Sequence, residues 1–318
     1  MSLINNITCE ATQKNTGFNG CPVDIGLIKG AILIPKDKWL TQTELADVKG
    51  TLQDLTLETI SSRAYPIFTF EAITDNSEDT TIETLGYGGK RPIKEGRYDW
   101  TFSMIEGVFY NNKLRSFNNN KKYKVLFFDN ENRMYGVNTY NSDDAEYQLA
   151  GFSLDFIYTY PFKAPDGSKQ AEYKIRFALA DPKEMNENLG IVTNSFDPAD
   201  EIKGITDLTL SSGGDAIHDV AYIKVLTTED QVDLYDEYST LLADADAWVV
   251  KSDAGVVITP TGVTADAAKE AIAIAFTSTG THTFELVSAA ALAALGIGGA
   301  PGNGFEGENI LSIAVPTT

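Results

Sequence analysis

Apolar positions in the first two thirds of this chain recur every second residue more often than every third or fourth, which predicts strands rather than helices. Residues 67–73 and 98–104 alternate in part, and residues 31–34 form an apolar run stopped by Pro35, the pattern of a buried strand. Residues 123–128 run into the turn cluster Asp129, Asn130, Glu131, Asn132 and return through residues 133–137, so a hairpin is expected. A second hairpin is expected from residues 151–158 and 172–178, with a break over 161–167. Between the early strands, residues 74–92 are rich in Ser, Asp and Thr and carry Gly86, Gly88 and Gly89; they read as a long mobile excursion. Helical signals are few. Thr41 with Glu44 three residues later forms a capping box, Leu45 and Val48 share a face, and Gly50 is the expected stop. The first twenty residues, with turn signals at Asn15-Thr16-Gly17 and Asn19-Gly20, read as a polar arm.

Residues 181–203 look like a linker, and the pattern beyond them is different. Strands are expected around Leu208 and over residues 220–226, 248–251, 256–259, 271–276, 281–287 and 309–315, separated by Gly or Pro turns. A helix over 228–242 would carry Val232, Tyr235, Tyr238 and Leu242 on one face, and a short Ala-rich helix over 288–295 would end at Gly296. Two domains follow: a β-rich assembly domain over 1–203 and a small acidic β-rich module over 204–318.

Charge sharpens that division. Residues 204–318 contain no arginine and only Lys224, Lys251 and Lys269 against sixteen acids, whereas all the other lysines and arginines lie in the first domain. The whole chain has a net charge of −20, which argues against wrapping nucleic acid, because phosphate binding needs clustered cations. It does not prevent DNA from passing close by, since an acidic wall repels phosphates. No apolar run approaches the ~20 residues that span a bilayer, and no secretion signal opens the chain, so a soluble protein made in the cytosol is expected. Cys9 and Cys21, the only cysteines, have no histidine near them and are expected to stay reduced rather than bind zinc.

Candidate chemistry is thin. The two histidines, His218 and His282, both read as exposed structural positions, and no G-x-S-x-G elbow accompanies them. Paired carboxylates such as Asp143-Asp144 and Asp236-Glu237 carry little meaning in a chain with 45 acids. The loops around 75–79 and 129–132 offer oxygen ligands but lack the spacing of a calcium-binding hand. Gly86-Tyr87-Gly88-Gly89-Lys90-Arg91 lacks the spacing of a phosphate-binding loop. No catalytic residue, metal site or cofactor is therefore expected.

One cluster stands out. Lys90, Arg91, Lys94, Arg97, Lys113, Arg115, Lys121, Lys122 and Lys124 face only Glu95, Asp99 and Glu106 within residues 90–124. Either these cations are paired within the domain, or they form a patch that meets an acidic face of another subunit; a nucleic-acid site is the third reading, and it needs the patch to escape the surrounding negative field.

In order and style, residues 69–180 resemble the strand-rich core of a tailed-phage major tail tube protein. A long loop (74–92) lies between early strands, a short helical region follows near 104–117, and paired hairpins end at Ala178. The module after Lys203 is similar to the Ig-like decorations of some virion proteins, apart from its helix over 228–242. The expected class is thus mainly β: a strand-rich tube- or barrel-type sandwich, then a small Ig-like domain with one or two short helices. The resemblance implies a virion protein that assembles with copies of itself into stacked rings, with DNA passing through an acidic lumen. In that picture the loop, with Asp75, Glu78, Asp79 and Glu83, bridges neighbouring rings, and the cationic patch meets an acidic neighbour. The partners implied are copies of the chain and other virion proteins, with no membrane and no specific DNA contact. The rival readings are a capsid or decoration protein, a surface or adhesive Ig-like protein, and a glycan-active enzyme, against which the scattered Trp39, Trp100 and Trp248 count.

Overall fold

The computed structural model describes residues 25–105, 107–119, 121–143, 146–168, 170–217, 219–277, 280–298 and 304–316. The expected arm over 1–20, both cysteines and His218 lie outside them. The protein is mainly β, with a few short helices. It divides into two compact units: one through Leu52 and again over Ser61–Glu201, the other Gln53–Ile60 and from Ile202 onward. Among the described residues, no helix is long and apolar enough to cross a membrane.

The first unit opens with β1 (Ile28–Pro35), buried along almost its whole length, and the short β2 (Trp39–Leu40). The Thr41 hydroxyl accepts from Glu44 N, and the Glu44 carboxylate accepts from Thr41 N at 2.8 Å, so the expected capping box starts α1 (Gln42–Ala46). Gly50 does not end the helical stretch. Asp47 recaps the chain, its Oδ1 accepting from Gly50 N at 3.0 Å, and α2 (Val48–Leu57) follows, of which the first unit holds the part through Leu52. The expected single strand over 67–73 is split at Thr69, whose φ of 74° is costly for a β-branched residue. That break separates β3 (Tyr65–Phe68), which pairs with β1, from β4 (Phe70–Asp75), which joins a different set of strands.

Residues 74–92 are not a loop. They contain β5 (Thr81–Thr84) and the start of β6 (Lys90–Lys94), which pair as a hairpin and lead into β7 (Asp99–Met104). The short helical region expected near 104–117 is α3 (Val108–Leu114) and a 3₁₀ turn, Arg115–Phe117. Both expected hairpins form: β8 (Tyr123–Asp129) with β9 (Arg133–Asn141), and, after β10 (Glu146–Ala150), β11 (Phe152–Thr159) with β12 (Tyr173–Leu179). The linker expected over 181–203 instead holds α4 (Pro182–Asn186), β13 (Leu189–Thr193) and α5 (Pro198–Glu201), and β13 pairs with β9 along its length.

Strand β8 is the branch point. Along one edge it pairs with β1 from Ile28↔Asp129 to Pro35↔Tyr123. Its other edge is shared: Phe127 and Phe128 pair with Tyr135 and Met134 of β9, while Val125 and Lys124 pair with Phe152 and Ser153 of β11. One sheet runs outward through β9 to β13 and to β10–β2; the other runs β11–β12–β7–β4, giving a half-barrel. The chain reaches β11 through Gly151, where a Cβ would lie 2.8 Å from Lys124 Cβ and 2.9 Å from Val125 N, so only glycine fits the crossing.

Aromatic side chains fill the space between the sheets. Phe127 on β8 has ring centroids 5.3 Å from Trp100, 6.0 Å from Phe102, 6.0 Å from Phe152 and 5.7 Å from Phe177, in tilted and edge-on geometries that aromatic quadrupoles favour. Phe70 stacks on Phe102 at 4.3 Å.

The second unit contains β14 (Ile205–Ser212), β15 (Val220–Thr227), α6 (Tyr235–Leu242), β16 (Trp248–Ser252), β17 (Val257–Ile258), β18 (Gly262–Asp266), β19 (Ala271–Ala275), β20 (Gly280–Leu286), α7 (Ala289–Ala294), β21 (Gly304–Gly307) and β22 (Leu311–Val315). One sheet has the order β18-β19-β15-β14-β21 and the other β17-β16-β20-β22. Apart from β21, which adds parallel to β14, this is the D-E-B-A and C′-C-F-G order of an immunoglobulin-type sandwich. Trp248 occupies the buried position on strand C, and its Nε1 donates to Leu242 O at 2.8 Å. The helix expected over 228–242 is shorter than its apolar spacing implies. Gln231 adopts a φ of 56°, Leu226 bridges to Asp233, and helical geometry begins only at Tyr235.

Phe127→Ala removes the ring that both sheets share, and should cost about 3–5 kcal/mol in guanidinium unfolding. Phe109→Ala, at a ring that is 69% exposed, should leave the midpoint nearly unchanged.

Candidate functional site

The most distinctive surface element is the hairpin arm. Pairing between β4 and β7 continues past their ends, with Asn76 N donating to Asp99 O at 2.7 Å and Glu78 N to Arg97 O at 3.0 Å. The ladder then passes into β5–β6 and closes at the tip, where Leu85 N donates to Gly89 O at 2.6 Å. The outer part forms a two-stranded sheet of its own. Ile82, Leu85, Tyr87 and Ile93 are all exposed there, Tyr87 completely. An isolated two-stranded ribbon is marginal in water, and this one spends four large apolar side chains on solvent.

The nine candidate cations fall in separate places. Lys90, Arg91, Lys94 and Arg97 lie on or beside the arm, and three of them meet acids of the same unit. Arg91 pairs with Glu83 at 2.9 Å, Lys94 with Glu78 at 2.9 Å, and Arg97 with Asp155 at 3.1 Å. Two of the loop acids, Glu78 and Glu83, are therefore partners of the cationic cluster. The Lys94 ammonium, by hydrogen bond and charge, holds the Glu78 carboxyl below the usual carboxylate range. Asp75 accepts from Ser77 N at 2.9 Å and shapes the turn after β4, and Asp79 is exposed. Lys113 and Arg115 are exposed on α3 and the turn after it. Lys121 and Lys122 lead into β8, which carries Lys124; Lys121 reaches Asp155 at 3.9 Å, and Lys124 lies 5.7 Å from the Trp39 ring centre. The sequence cluster is thus a mixture of ion-paired arm residues and residues spread over two other elements.

The densest polar group was not legible from the sequence. Asp129, in the acidic turn between β8 and β9, points inward and is 1% exposed. Its Oδ1 accepts from Glu131 N and Arg133 N, both at 2.9 Å. Its Oδ2 accepts from Arg133 Nε at 2.6 Å and from the Tyr135 hydroxyl, which in turn accepts from Gly26 N at 3.2 Å. Burial pushes the Asp129 carboxyl up, but the bonds from Tyr135, Arg133 and Glu131 outweigh it and hold the pKa below its ordinary value. Burial and the same contact raise the Tyr135 phenol. With these acceptor sites occupied, the turn is a structural brace rather than a cation loop.

Within residues 204–318 each of the three lysines is engaged. Lys224 meets Asp233 at 3.2 Å, Lys251 meets Glu285 at 2.8 Å, and Lys269 lies 3.5 Å from the Tyr222 ring centre. The remaining acids give this unit a negative field. His282, expected to be exposed, is 1% exposed: its ring lies 4.8 Å from that of Phe276, and Nδ1 is 3.0 Å from Gly280 O. Alternation within β20 turns it inward, a placement that its short polar neighbours, Thr281 and Thr283, concealed. Among the described residues, no group of three His, Cys, Asp or Glu side chains is placed to hold a metal ion.

No protein family, curated protein or solved structure matches this chain.

Asp129→Asn should destabilise the protein by about 3–5 kcal/mol, because it leaves Arg133 without its buried partner. Since the folded pKa is depressed, the stability from Asp129 is present above about pH 4 and is lost as pH falls through the folded value. Acid unfolding of Asp129→Asn, followed by circular dichroism, should accordingly show a shallower loss of stability below that pH than the parent protein does.

Proposed function

We propose that this chain is a non-enzymatic structural subunit of a virion that assembles with copies of itself into stacked rings, forming the tube of a phage tail. The observation that carries this reading is the arm: a ribbon that leaves its sheet with Ile82, Leu85, Tyr87 and Ile93 bare. Burial of such side chains stabilises by about 1.5–3 kcal/mol each, so a neighbour that covers them gains a strong anchor. The ion pairs along the arm keep it extended without burying the apolar side chains. Among the described residues β4 pairs only with β7, and most of its residues are exposed, which leaves a sheet edge available to a second subunit. The net charge of −20 suits a wall past which DNA slides without sticking.

A second reading, a decoration or adhesive surface protein, draws on the immunoglobulin-type order of the second unit. Homopolymer formation separates the two.

Electron microscopy of the purified protein at high concentration should show rings or hollow tubes. The double variant Tyr87→Ser/Ile93→Ser should keep its circular dichroism and elute as the smallest species, yet form no stacked rings. Closed shells, or a parent protein that stays monomeric at every concentration and salt, would overturn the proposal.

A further inference from the structure

The outer face of the β4–β7–β12 sheet holds a cleft of about 540 Å³, within the size range of small-ligand sites. Its wall is the segment leaving β11, with Tyr160, Pro161 and Phe162; its floor is Thr74, Asn76 and Thr101; Lys163, Glu172 and Lys174 form the rest.

The wall is fixed in advance. Tyr160 N donates to Lys174 O at 2.9 Å, and Lys163 and Glu172 exchange two backbone bonds, at 3.0 and 3.1 Å. Asn111 Nδ2 on α3 donates to Tyr160 O at 3.2 Å, and the Tyr160 ring meets that of Tyr158 edge-on at 5.1 Å. Phe162 stacks on Tyr173 at 6.4 Å yet stays 45% exposed, so one side of its ring is braced while part of the ring remains open. Ordering costs on binding are correspondingly small.

The floor offers neutral hydrogen-bonding groups. Asn76 Nδ2 donates to Thr101 Oγ1 at 2.9 Å, which leaves Asn76 Oδ1 and the Thr101 hydroxyl hydrogen for a ligand. Two ammonium groups share one carboxylate: Lys163 lies 3.1 Å and Lys174 2.5 Å from Glu172, so one positive charge is left over. A flat apolar ring beside neutral polar groups and a surplus cation matches a pyranose, whose C–H face stacks and whose hydroxyls bond edgewise. The surplus charge favours a sugar bearing a carboxylate. Among the described residues Glu172 is the one carboxylate in the lining, and it is ion-paired, so they do not supply the two acids that glycoside hydrolysis uses.

We propose that this cleft is a binding site for an acidic saccharide, with Phe162 as the stacking platform, Asn76 and Thr101 as hydroxyl partners and Lys174 as the carboxylate partner. The site lies wholly in the first unit and does not depend on assembly.

Saturation-transfer-difference NMR with D-glucuronic acid, D-galacturonic acid and D-glucose at millimolar concentration tests it on the full chain. Transfer to the ring C–H protons of the acidic sugars is expected, with glucose weaker. Phe162→Ala should weaken binding roughly tenfold, the scale of one lost aromatic contact. Lys174→Gln should erase the preference for the acids over glucose, and Asn76→Ala should weaken all three. Tyr140→Ala, at a ring 54% exposed elsewhere in the unit, should change nothing. No transfer from any of the sugars would overturn the proposal, as would equal transfer in Phe162→Ala and the parent. A proline-rich peptide that produces transfer where the sugars do not would overturn it as well.

Discussion

The first unit depends on a single interlock: the Phe127 ring, carried by one sheet and surrounded by side chains of the other. Strand β8 must stand where both sheets meet for that ring to reach Trp100, Phe102, Phe152 and Phe177 together. The branching of β8, paired with β1 on one edge and shared by β9 and β11 on the other, is what places it there. Gly151 lets the chain pass close against β8, and Thr69 turns it from one sheet to the other. Both are backbone solutions to one packing requirement.

The polar brace at Asp129 serves the same strand. It closes the β8–β9 turn from inside with charge-assisted bonds to Asp129 and, through the Tyr135 hydroxyl, reaches Gly26 just ahead of β1, so the two apolar strands at the branch point are tied at one end. Apolar packing sets the middle of β8 and hydrogen bonding sets its end. That division lets an acidic residue sit in a nearly fully buried position without an uncompensated charge.

Much of the fold was legible where a signal was local. The hairpins at β8–β9 and β11–β12 announced themselves through alternation and a turn-rich break, the first helix through its capping box, and α7 through Ser288 and Gly296. What was hidden depended on partners distant in sequence. β10, β13, β18 and β21 are short or rich in Gly and Ala, and only their pairing makes them strands. The arm looked like a loop because its outer half has no buried face, so its side chains never had to alternate. Asp129 looked like solvent-facing turn chemistry, and nothing near it in sequence revealed Gly26. In the cleft, Phe162 and Lys174 come from opposite sides of a twelve-residue separation, and Asn76 from another hairpin altogether.

The pairing of β1 has a consequence during synthesis. Ile28 finds its place opposite Asp129, on the order of a hundred residues later, and ribosomes add about 5–20 residues per second. β3 can cover one edge of β1 early, through Leu33↔Tyr65 and its neighbours. The other edge, with its run Ala31-Ile32-Leu33-Ile34, stays open for seconds on the nascent chain. Until β8 is made, that apolar edge is a template on which another nascent chain can pair, a hazard that belongs to the growing polypeptide.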